Sequence, residues 1–351
     1  MTTITASGLT CALPVTQTER VQLGHGSGGK MSASLIGDVF LRELGNPALN
    51  VMGDGAIVEA GATEFVVSTD SFVVSPLEFP GGDIGSLAVH GTLNDVAMMG
   101  ARAVCLTAAF ILEEGLPIAT LERVVASMAA AARQAGVPIV AGDTKVVERG
   151  KADGLYVNTT GIGLRDARCR PGPADARAGD VVIVSGALGR HGMAIMAARE
   201  GLAFETTITS DSACLIPLVE RIKTAGVRVH TLRDPTRGGA ASALNEIAAA
   251  SGVAIELDED ALPVPENVRA ACEMLGLDPL YVANEGILLA IVPAEEVDTT
   301  LAALRSHPLG SGAVVIGRVT GKPAATVILR TGLGGTRIVD LLPGDQLPRI
   351  C

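Results

Sequence analysis

The sequence predicts an α/β (α+β) protein of two domains. Its 351 residues exceed the roughly 100–200 residues of most single domains, so two hydrophobic cores are expected. Hydrophobic residues make up 48% of the chain, whereas aromatic residues make up 2% and tryptophan is absent from the sequence. A core of this composition must be built from Ala, Val, Leu and Ile packed between sheets and helices.

Along the first half of the chain, β-rich runs alternate with helical patterns. The predicted strands are 62–70, 103–112, 137–143 and 155–163, and the predicted helices are 83–99 and 119–135. Asp83 lies at the start of the first helix and is predicted to be its N-cap. These elements form an N-terminal domain, residues 21–168. Residues 1–20 form an N-terminal extension to which no function is assigned.

A Pro-, Gly- and Asp-rich stretch, 169–180, breaks both periodicities and is predicted to be an exposed linker. The C-terminal domain that follows, 181–338, is of the α+β type. Its predicted strands lie near 181–185, 253–257, 286–292, 313–319 and 325–330, and its predicted helices near 211–225, 237–250 and 294–306. The last segment, 339–351, carries two prolines and a glycine among its final twelve residues. That composition predicts a flexible tail.

Charge and cysteine usage exclude several classes of protein. The chain has 38 acidic and 27 basic residues, a net charge of -11, whereas a nucleic-acid partner requires a clustered cationic face. The start of the chain lacks a secretory signal, and no apolar run approaches the roughly 20 residues of a membrane span. A cytoplasmic protein with no membrane partner is therefore expected. The six cysteines contain no Cys-x-x-Cys pair, so neither a zinc site nor a disulfide framework is indicated.

The segment GHGSGGKM, Gly24–Met31, fits the phosphate-binding pattern Gly-x-x-x-x-Gly-Lys. A true P-loop needs Ser or Thr after the lysine and a buried strand before the glycines. Here Met31 follows the lysine, and the apolar run before the glycines is too short. Two alternatives stay open, a segment that folds over a nucleotide by another geometry and a flexible turn.

Acidic residues recur at the ends of apolar strands or in glycine-rich turns, namely Asp54, Asp70, Asp143 and Asp234. Asp95 adds a fifth carboxylate near the end of a helix. Mg²⁺ prefers hard oxygen ligands and bridges carboxylates to substrate phosphates, so these residues suit a nucleotide–metal site. Any one of them could instead cap local N–H groups. The set of five favours the site.

Two charged residues next to apolar strands are candidates for chemistry. Lys145 follows Gly-Asp-Thr at a strand end, and Glu285 directly precedes a strongly apolar strand. Phosphate charge neutralisation by Lys145 and proton abstraction by Glu285 would form a coherent pair beside a carboxylate cluster. His90 shares a helix face with Asn94, but a lone helical histidine is more often a packing residue.

Ten short motifs, spread from Val21 to Cys351, resemble those of the HypE family, the carbamoyl dehydratases of nickel–iron (NiFe) hydrogenase maturation. The motifs are HGSGG, TDSFVVSPL, FPGGDIG, LNDVA, AFILEEGLP, GDTKVVERG, DPTRGG, ANEG, SHPLG and the final PRIC. Aminoimidazole ribonucleotide synthetase, selenophosphate synthetase and thiamine-phosphate kinase, of the same superfamily, are similar in the acidic motifs only. The tail that ends in cysteine narrows the resemblance to HypE.

The resemblance implies a two-domain aminoimidazole ribonucleotide synthetase-like fold whose N-terminal sheet domain forms a homodimer. It also implies that acidic motifs bind ATP and Mg²⁺. The implied magnesium residues are Asp54, Asp70, Asp95 and Asp143. The implied ATP residues are Asn94, Asp95, Thr144, Asp234 and Thr236. The implied catalytic residues are Cys351, Lys145 and Glu285, and the choice between Lys145 and Glu285 as proton abstractor stays open.

Cys351 is implied to carry the reacting group. A HypF-type carbamoyltransferase would load it with a carbamoyl group, which ATP-dependent dehydration converts into a thiocyanate. The cyano group would then pass to iron on a HypC–HypD-type scaffold. A tail of eleven extended residues, Leu341 to Cys351, can reach roughly 35 Å, enough to enter the ATP site and to leave it again.

Two other functions fit the sequence. One is a small-molecule kinase or synthetase that phosphorylates an unattached substrate in the same cleft, with Cys351 irrelevant. The other is a non-catalytic scaffold that binds nucleotide and presents its tail to partner proteins. Activity that persists without the tail favours the first, and the absence of ATP turnover favours the second.

Overall fold

The computed structural model describes residues 20–201, 208–344, 347 and 349–351. The predicted N-terminal extension therefore lies outside the described residues, apart from Arg20. In the part of the chain described, one five-stranded and one seven-stranded sheet each form the centre of a domain. Among these residues, no helix is both long enough and apolar enough to cross a membrane.

The N-terminal sheet has the strand order β1-β2-β7-β5-β6. The strands up to this point of the chain are β1 (Ala56–Ala60), β2 (Thr63–Phe72), β3 (Glu78–Phe79), β4 (Gly82–Asp83), β5 (Ala101–Glu113), β6 (Ile139–Val147) and β7 (Leu155–Arg165). The helices are α1 (Lys30–Leu35), a π-helical stretch (Ile36–Leu41), α2 (Arg42–Leu44), α3 (Ile84–Met98) and α4 (Ile118–Ala135). Only the β5–β6 pair is parallel among the described pairs of this sheet.

Helix α3 packs on one face of this sheet. It begins where Asp83 Oδ1 accepts the N–H groups of Gly85 and Ser86 at 2.8 and 2.9 Å, which confirms the predicted N-cap. Gly163 on β7 allows the close approach, because a Cβ atom there would lie 2.6 Å from the side chain of Val96. We call this side of the sheet the helix-covered face.

The other side of the sheet, called here the open face, carries exposed apolar side chains. Strand neighbours alternate between the two faces, so Val66 and Ser68 point to α3 while residues between them point away. Val58 and Ile111 lie on the open face and are 46% and 44% exposed. Apolar side chains are therefore partly exposed on the open face, whereas those of the helix-covered face are buried beneath α3.

The C-terminal sheet has the order β14-β13-β10-β12-β8-β11-β9. Its strands are β8 (Val181–Val184), β9 (Thr231–Arg233), β10 (Ala254–Asp258), β11 (Leu289–Val292), β12 (Val314–Thr320), β13 (Thr326–Arg330) and β14 (Thr336–Ile338). The helices of this half are α5 (Arg190–Glu200), α6 (Ile216–Thr224), α7 (Gly239–Ser251), α8 (Glu266–Leu275) and α9 (Val297–Arg305). Short 3-10 turns lie at Leu23–Gly26, Leu49–Val51, Glu259–Ala261, Pro279–Tyr281, Ala294–Glu296 and Pro308–Gly310.

Both faces of the C-terminal sheet are buried. On β8, Val182 and Val184 belong to the core beneath α7, whereas Ile183 belongs to the core beneath α6 and α9. A strand that is buried on both sides must be apolar at every position, which is why β8 and β11 are unbroken apolar runs in the sequence.

Most predicted elements are present with ends shifted by a few residues. The helix predicted from 211 begins only at Ile216, because the Asp211 carboxylate binds backbone N–H groups of residues 285 and 286 instead of continuing a helix. The sequence also missed the helices α5 and α8 and the three-residue strands β9 and β14. Strands of three residues are too short to show an alternating pattern of their own. The predicted domain bounds stay a prediction.

The described residues of the tail contact both domains. The N–H of Val339 donates to the carbonyl oxygen of Val327 in the C-terminal domain at 2.9 Å, whereas the last residues also reach the N-terminal domain. The N–H of Val73 donates to the carbonyl oxygen of Cys351 at 3.0 Å, and the N–H of Ser75 donates to that of Arg349 at 3.2 Å. The tail thus continues from the C-terminal domain back to the residues that follow β2. The described end of the tail is thus docked in the structure, and the mobility of the tail stays a prediction.

Candidate functional site

A cavity of about 1010 Å³ opens between the two domains. Its wall includes three glycines of the glycine-rich segment, Gly26, Gly28 and Gly29, together with Asp54 and Thr236. Gly28 has a φ angle of +76°, a conformation that side chains disfavour. The position of this segment favours the alternative in which it covers a nucleotide.

Three carboxylates meet beside this cavity. Asp54 lies in the turn before β1, Asp95 in the last turn of α3, and Asp234 directly after β9. One oxygen from each lies within 4.8 Å of the others. Two chain segments of the N-terminal domain and one of the C-terminal domain therefore build this acidic cluster, so it exists only when the two domains are packed together.

The acidic cluster is only partly neutralised. Asp54 pairs with Arg233 Nη1 at 2.5 Å, and Asp95 accepts a hydrogen bond from Ser68 Oγ at 2.6 Å. Asp234 Oδ2 is buried and has no hydrogen-bond partner among the described residues. Burial raises the pKa of Asp54 and of Asp95, and it raises the pKa of Asp234 to about 6.

This arrangement fits a hard divalent cation. Carboxylate oxygens are the ligands that Mg²⁺ prefers, and an unpartnered buried oxygen such as Asp234 Oδ2 is costly unless something binds it. Asp70 on β2 lies close enough to raise the pKa values of Asp95, Asp234 and Glu285. The structure thus brings four of the five predicted aspartates together.

The fifth, Asp143, is elsewhere. Strand β6 lies three strands from β2, about 14 Å across the sheet. The pairing aligns Asp143 with Ser71 rather than with Asp70, so it points to the open face. There Lys145 Nζ lies 2.7 Å from its carboxylate, and this hydrogen bond is the main cause of its lowered pKa.

Within one chain, the structure therefore does not bring Asp143 and Lys145 to the acidic cluster. Asp143 and Lys145 lie on the exposed open face, and Thr144 between them lies on the same edge strand. Strand alternation separates the first two from the acidic cluster, because that cluster is on the other side of the sheet.

Glu285 lies on the side of the acidic cluster. Its side chain is buried, and its Oε2 is 3.9 Å from the position of a Cβ atom at Gly91 on α3. Burial raises its pKa, and Asp234 and Asp211 add to the increase. A carboxyl group with a raised pKa is a stronger base once it is ionised.

Asp211 is a residue of this region that the sequence did not single out. Its Oδ2 accepts the N–H groups of Glu285 and Gly286 at 3.2 and 3.0 Å, and its Oδ1 is buried without a described partner. Burial raises its pKa to about 6. Because it lies in a predicted helix, no local pattern distinguished it from an ordinary surface aspartate.

Comparisons with known proteins agree with this site. Models of AIR synthase related proteins match the chain, with the N-terminal domain at residues 52–165 and the C-terminal domain at 177–330. The carbamoyl dehydratase HypE of Cupriavidus necator is 55% identical over 334 residues, which are 95% of this chain and 95% of that protein. The chain belongs to the HypE family.

Solved structures of HypE proteins show the same fold. A HypE–HypF complex contains a chain that is 47% identical with a TM-score of 0.84, covering 88% of this chain and 100% of that chain. HypE in complex with ATP is 50% identical with a TM-score of 0.80, covering 93% and 98%. These matches confirm the predicted family and the two-domain α/β fold. The C-terminal family model begins inside the predicted linker.

In this HypE-family chain, Cys351 is bound next to the site. Its carbonyl oxygen accepts the N–H of Val73, which directly follows Phe72. The ring of Phe72 and the carboxyl of Glu285 both lie against Gly91. Cys351 itself is half-buried. The docked tail therefore brings the cysteine to the end of β2, where the ring of Phe72 lies against the same glycine as the buried carboxyl.

Two of the remaining predicted ATP residues lie in different places, one in the cavity wall and one at the interface between the domains. Thr236 lines the cavity. Asn94 is completely buried, and its amide joins the carbonyl of Ala213 and the N–H of Leu215. These bonds tie α3 to the C-terminal domain, and the assignment of Asn94 to ATP stays a prediction. His90 is bonded to Ser212 Oγ at 3.1 Å, as a packing residue would be.

Proposed function

We propose that this HypE-family chain uses ATP to dehydrate a carbamoyl group carried on Cys351. The S-carboxamide becomes a thiocyanate, whose cyano group supplies a ligand for the iron centre of NiFe hydrogenase. The observation that carries the proposal is the position of Glu285. This buried carboxyl lies beside both the acidic cluster and the strand end that binds the cysteine-bearing tail.

The chemistry needs ATP because an amide oxygen is a poor leaving group. Transfer of the γ-phosphoryl group to the carbamoyl oxygen forms an O–P bond and releases ADP, while a base removes one N–H proton. The C–O bond then breaks, phosphate leaves, the second N–H proton is lost and the C≡N bond forms. The S–C bond stays intact, so one water is removed in total as ATP becomes ADP and phosphate.

ATP would bind in the cavity between the domains. Its volume of about 1010 Å³ is large enough for a nucleotide, and Thr236 and the glycine-rich segment line it. Asp54, Asp95 and Asp234 would hold Mg²⁺ with Asp70 nearby, and the ion would neutralise phosphate charge when bound. The Asp143 of the same chain would not be one of these magnesium ligands.

Glu285 is the proton acceptor that this chain can offer. Lys145 lies on the opposite face of the sheet and is paired with Asp143, whereas Glu285 lies beside Gly91 in the interior. Asp211 holds the backbone at Glu285 and so fixes where its side chain starts. We assign proton abstraction to Glu285 and a positioning role to Asp211.

The homodimer follows from the open face. Val58, Val67 and Thr69 of this face also line the cavity, so a second copy stacked on the open face would border the nucleotide site. Lys145 lies on the same face. In such a dimer, the Lys145 of one copy would neutralise phosphate charge at the site of the other copy, a role that it cannot have within its own chain.

The partners follow from the carbamoyl chemistry. A HypF-type carbamoyltransferase would load Cys351, in line with the solved complex of the relative HypE with HypF. A HypC–HypD-type scaffold would receive the cyano group. Both encounters need the tail to leave its docked position, because Cys351 is half-buried there.

Intact-mass spectrometry tests the proposal. The chain is incubated with carbamoyl phosphate, ATP and a HypF-type transferase, and it should gain one carbamoyl mass and then lose one water mass. ATP turnover on an unattached carbamoyl substrate by a chain without its tail would favour the small-molecule kinase instead. Carbamoylation that is never followed by ATP turnover or water loss would favour the scaffold.

A further inference from the structure

His191 lies in α5, where the tail meets the N-terminal domain. Its ring is completely buried, and its Nε2 atom lies 2.6 Å from the carbonyl oxygen of Ile350. A carbonyl oxygen can only accept a hydrogen bond, so Nε2 must carry the proton. The imidazole therefore donates to the main chain of the residue that precedes Cys351.

Ser210 sets this tautomer. Its Oγ lies 2.8 Å from Nδ1 of His191 and accepts the N–H of Ser212 at 3.0 Å, so its own proton is directed to the ring. Burial lowers the pKa of His191 to about 4, which keeps the ring neutral near pH 7. The ring of Phe79 packs against the imidazole in a T-shaped contact, with the ring centroids 5.5 Å apart and the planes at 87°.

A second group of contacts also binds the tail through its main chain. Arg199 Nη2 donates to the carbonyl oxygens of Arg349 and Ser75 at 2.7 and 2.8 Å. The N–H of Val73 donates to the carbonyl of Cys351. These contacts do not use the cysteine sulfur, so they remain possible whichever group the sulfur carries.

We propose that His191 is a positioning residue for the dehydration step, which holds the main chain at Ile350 so that Cys351 stays beside Glu285. This inference rests on the proposed function. A donor to the main chain serves the thiol, carbamoyl and thiocyanate forms alike, whereas a contact to the substituent would fit only one form. Loading by a transferase requires the undocked tail, so His191 should not assist loading.

The test compares His191→Phe with His191→Gln in the full chain. Phenylalanine keeps a ring but removes the donor, whereas the glutamine amide nitrogen keeps a donor at a similar reach. Single-turnover mass spectrometry measures two rates, the gain of the carbamoyl group from a HypF-type transferase and the later loss of one water mass. We expect His191→Phe to slow water loss about tenfold without slowing loading, and His191→Gln to stay within about threefold.

Limited trypsin digestion reports tail docking independently. Trypsin cleaves after arginine, so release of Ile350 and Cys351 from Arg349 shows how often the tail leaves its site. His191→Phe should accelerate this release about tenfold. Arg199→Met removes the other group of contacts and should accelerate it too, which keeps the test available if a His191 variant does not fold.

The outcomes are distinguishable. Water loss at the wild-type rate in His191→Phe, with trypsin release also unchanged, would overturn the inference. So would an equal decrease of loading and water loss together with a lower melting temperature, which marks a residue needed only for folding. If the wild-type chain is carbamoylated but loses no water, the proposed dehydration fails, while trypsin release still reports whether His191 holds the tail.

Discussion

The two faces of the N-terminal sheet both carry aspartates, in opposite surroundings. On the helix-covered side, burial is the main cause of the raised pKa of Asp95, and Asp70 adds to it. On the open face, Asp143 is exposed, and a hydrogen bond from Lys145 lowers its pKa. A buried group of carboxylates binds a cation readily, whereas a carboxylate with an ammonium neighbour has its counter-charge already.

Strand register produces this difference. In the sequence, Asp70 and Asp143 each end a run predicted to be a strand, 62–70 and 137–143, and their motifs look alike. Across the sheet, Asp143 is aligned with Ser71 through the two strands between them. Ser71 is one residue beyond Asp70. A shift of one residue moves a side chain to the other face of a sheet. Similar acidic motifs therefore need not belong to one site of one chain.

The largest effect is expected from replacing the cysteine of the docked tail, compared with replacing a cysteine of the open face. Cys351→Ala should abolish both the carbamoyl mass gain and carbamoyl-dependent ATP hydrolysis, while nucleotide binding survives. Cys351→Ser should fail as well, because an alkoxide is far less accessible than a thiolate near neutral pH. Mass spectrometry of each variant measures this.

Cys105, on the open face, provides the matched control. Cys105→Ala should keep both the gain and the water loss. A Cys351→Ala chain that still gained and dehydrated the carbamoyl group would show that the tail does not carry the substrate, and the small-molecule kinase function would replace the proposed one.

Glu285→Gln should slow dehydration about 100-fold, because the amide cannot accept the N–H protons. Carbamoylation of Cys351 should stay at the wild-type rate. The pKa of Glu285 is raised by burial, so the wild-type rate should fall as the pH decreases through that pKa. A single-turnover rate in Glu285→Gln equal to that of the wild type would assign the base to another residue.

A mixing experiment decides whether Lys145 acts between copies. Lys145→Met and Glu285→Gln chains are each expected to be slow when assayed alone. In mixed dimers, one of the two sites regains both an intact Glu285 and the Lys145 of the other copy. After exchange in a 1:1 mixture, about a quarter of wild-type activity should return. No recovery, with mixed dimers shown to form, would place Lys145 outside the site.

The smallest expected effect concerns stability without ligands. The pKa of Asp234 is about 6 in the folded chain, against an ordinary value of 3.8, so the fold favours the protonated side chain. The stabilisation that comes from the protonated form is present below pH 4 and is lost as the pH rises through 6. Asp234→Asn removes this loss. Its melting temperature in magnesium-free buffer should exceed that of the wild type by a few degrees at pH 8 and not at pH 4.

Asp143→Asn is the control from the open face. Its carboxylate is exposed, so its substitution should change the melting temperature by no more than about one degree at either pH. A marked loss of stability in Asp234→Asn would show that the buried carboxylate stabilises the fold and is not held there to bind a cation.

The sequence by itself determined the fold class, the family and the reactive-residue types. Unbroken apolar runs such as Val181–Val184 predict strands buried on both faces, and Asp83 before a long apolar segment predicts the start of α3. Glu285 was recognised from its place before an apolar strand, and Asp234 from its place in a glycine-rich turn. These features are local, because periodicity and capping depend on neighbouring residues only.

Only the tertiary structure decided which of these residues meet. The separation of Asp143 from Asp70 depends on strand pairing between distant segments, and the docking of Cys351 depends on His191 and Val73, which lie far from it in the sequence. Asp211 became a candidate only because the fold buries it beside Glu285. Contacts between residues distant in sequence arise from packing, and a one-residue change of register reverses which side a side chain faces.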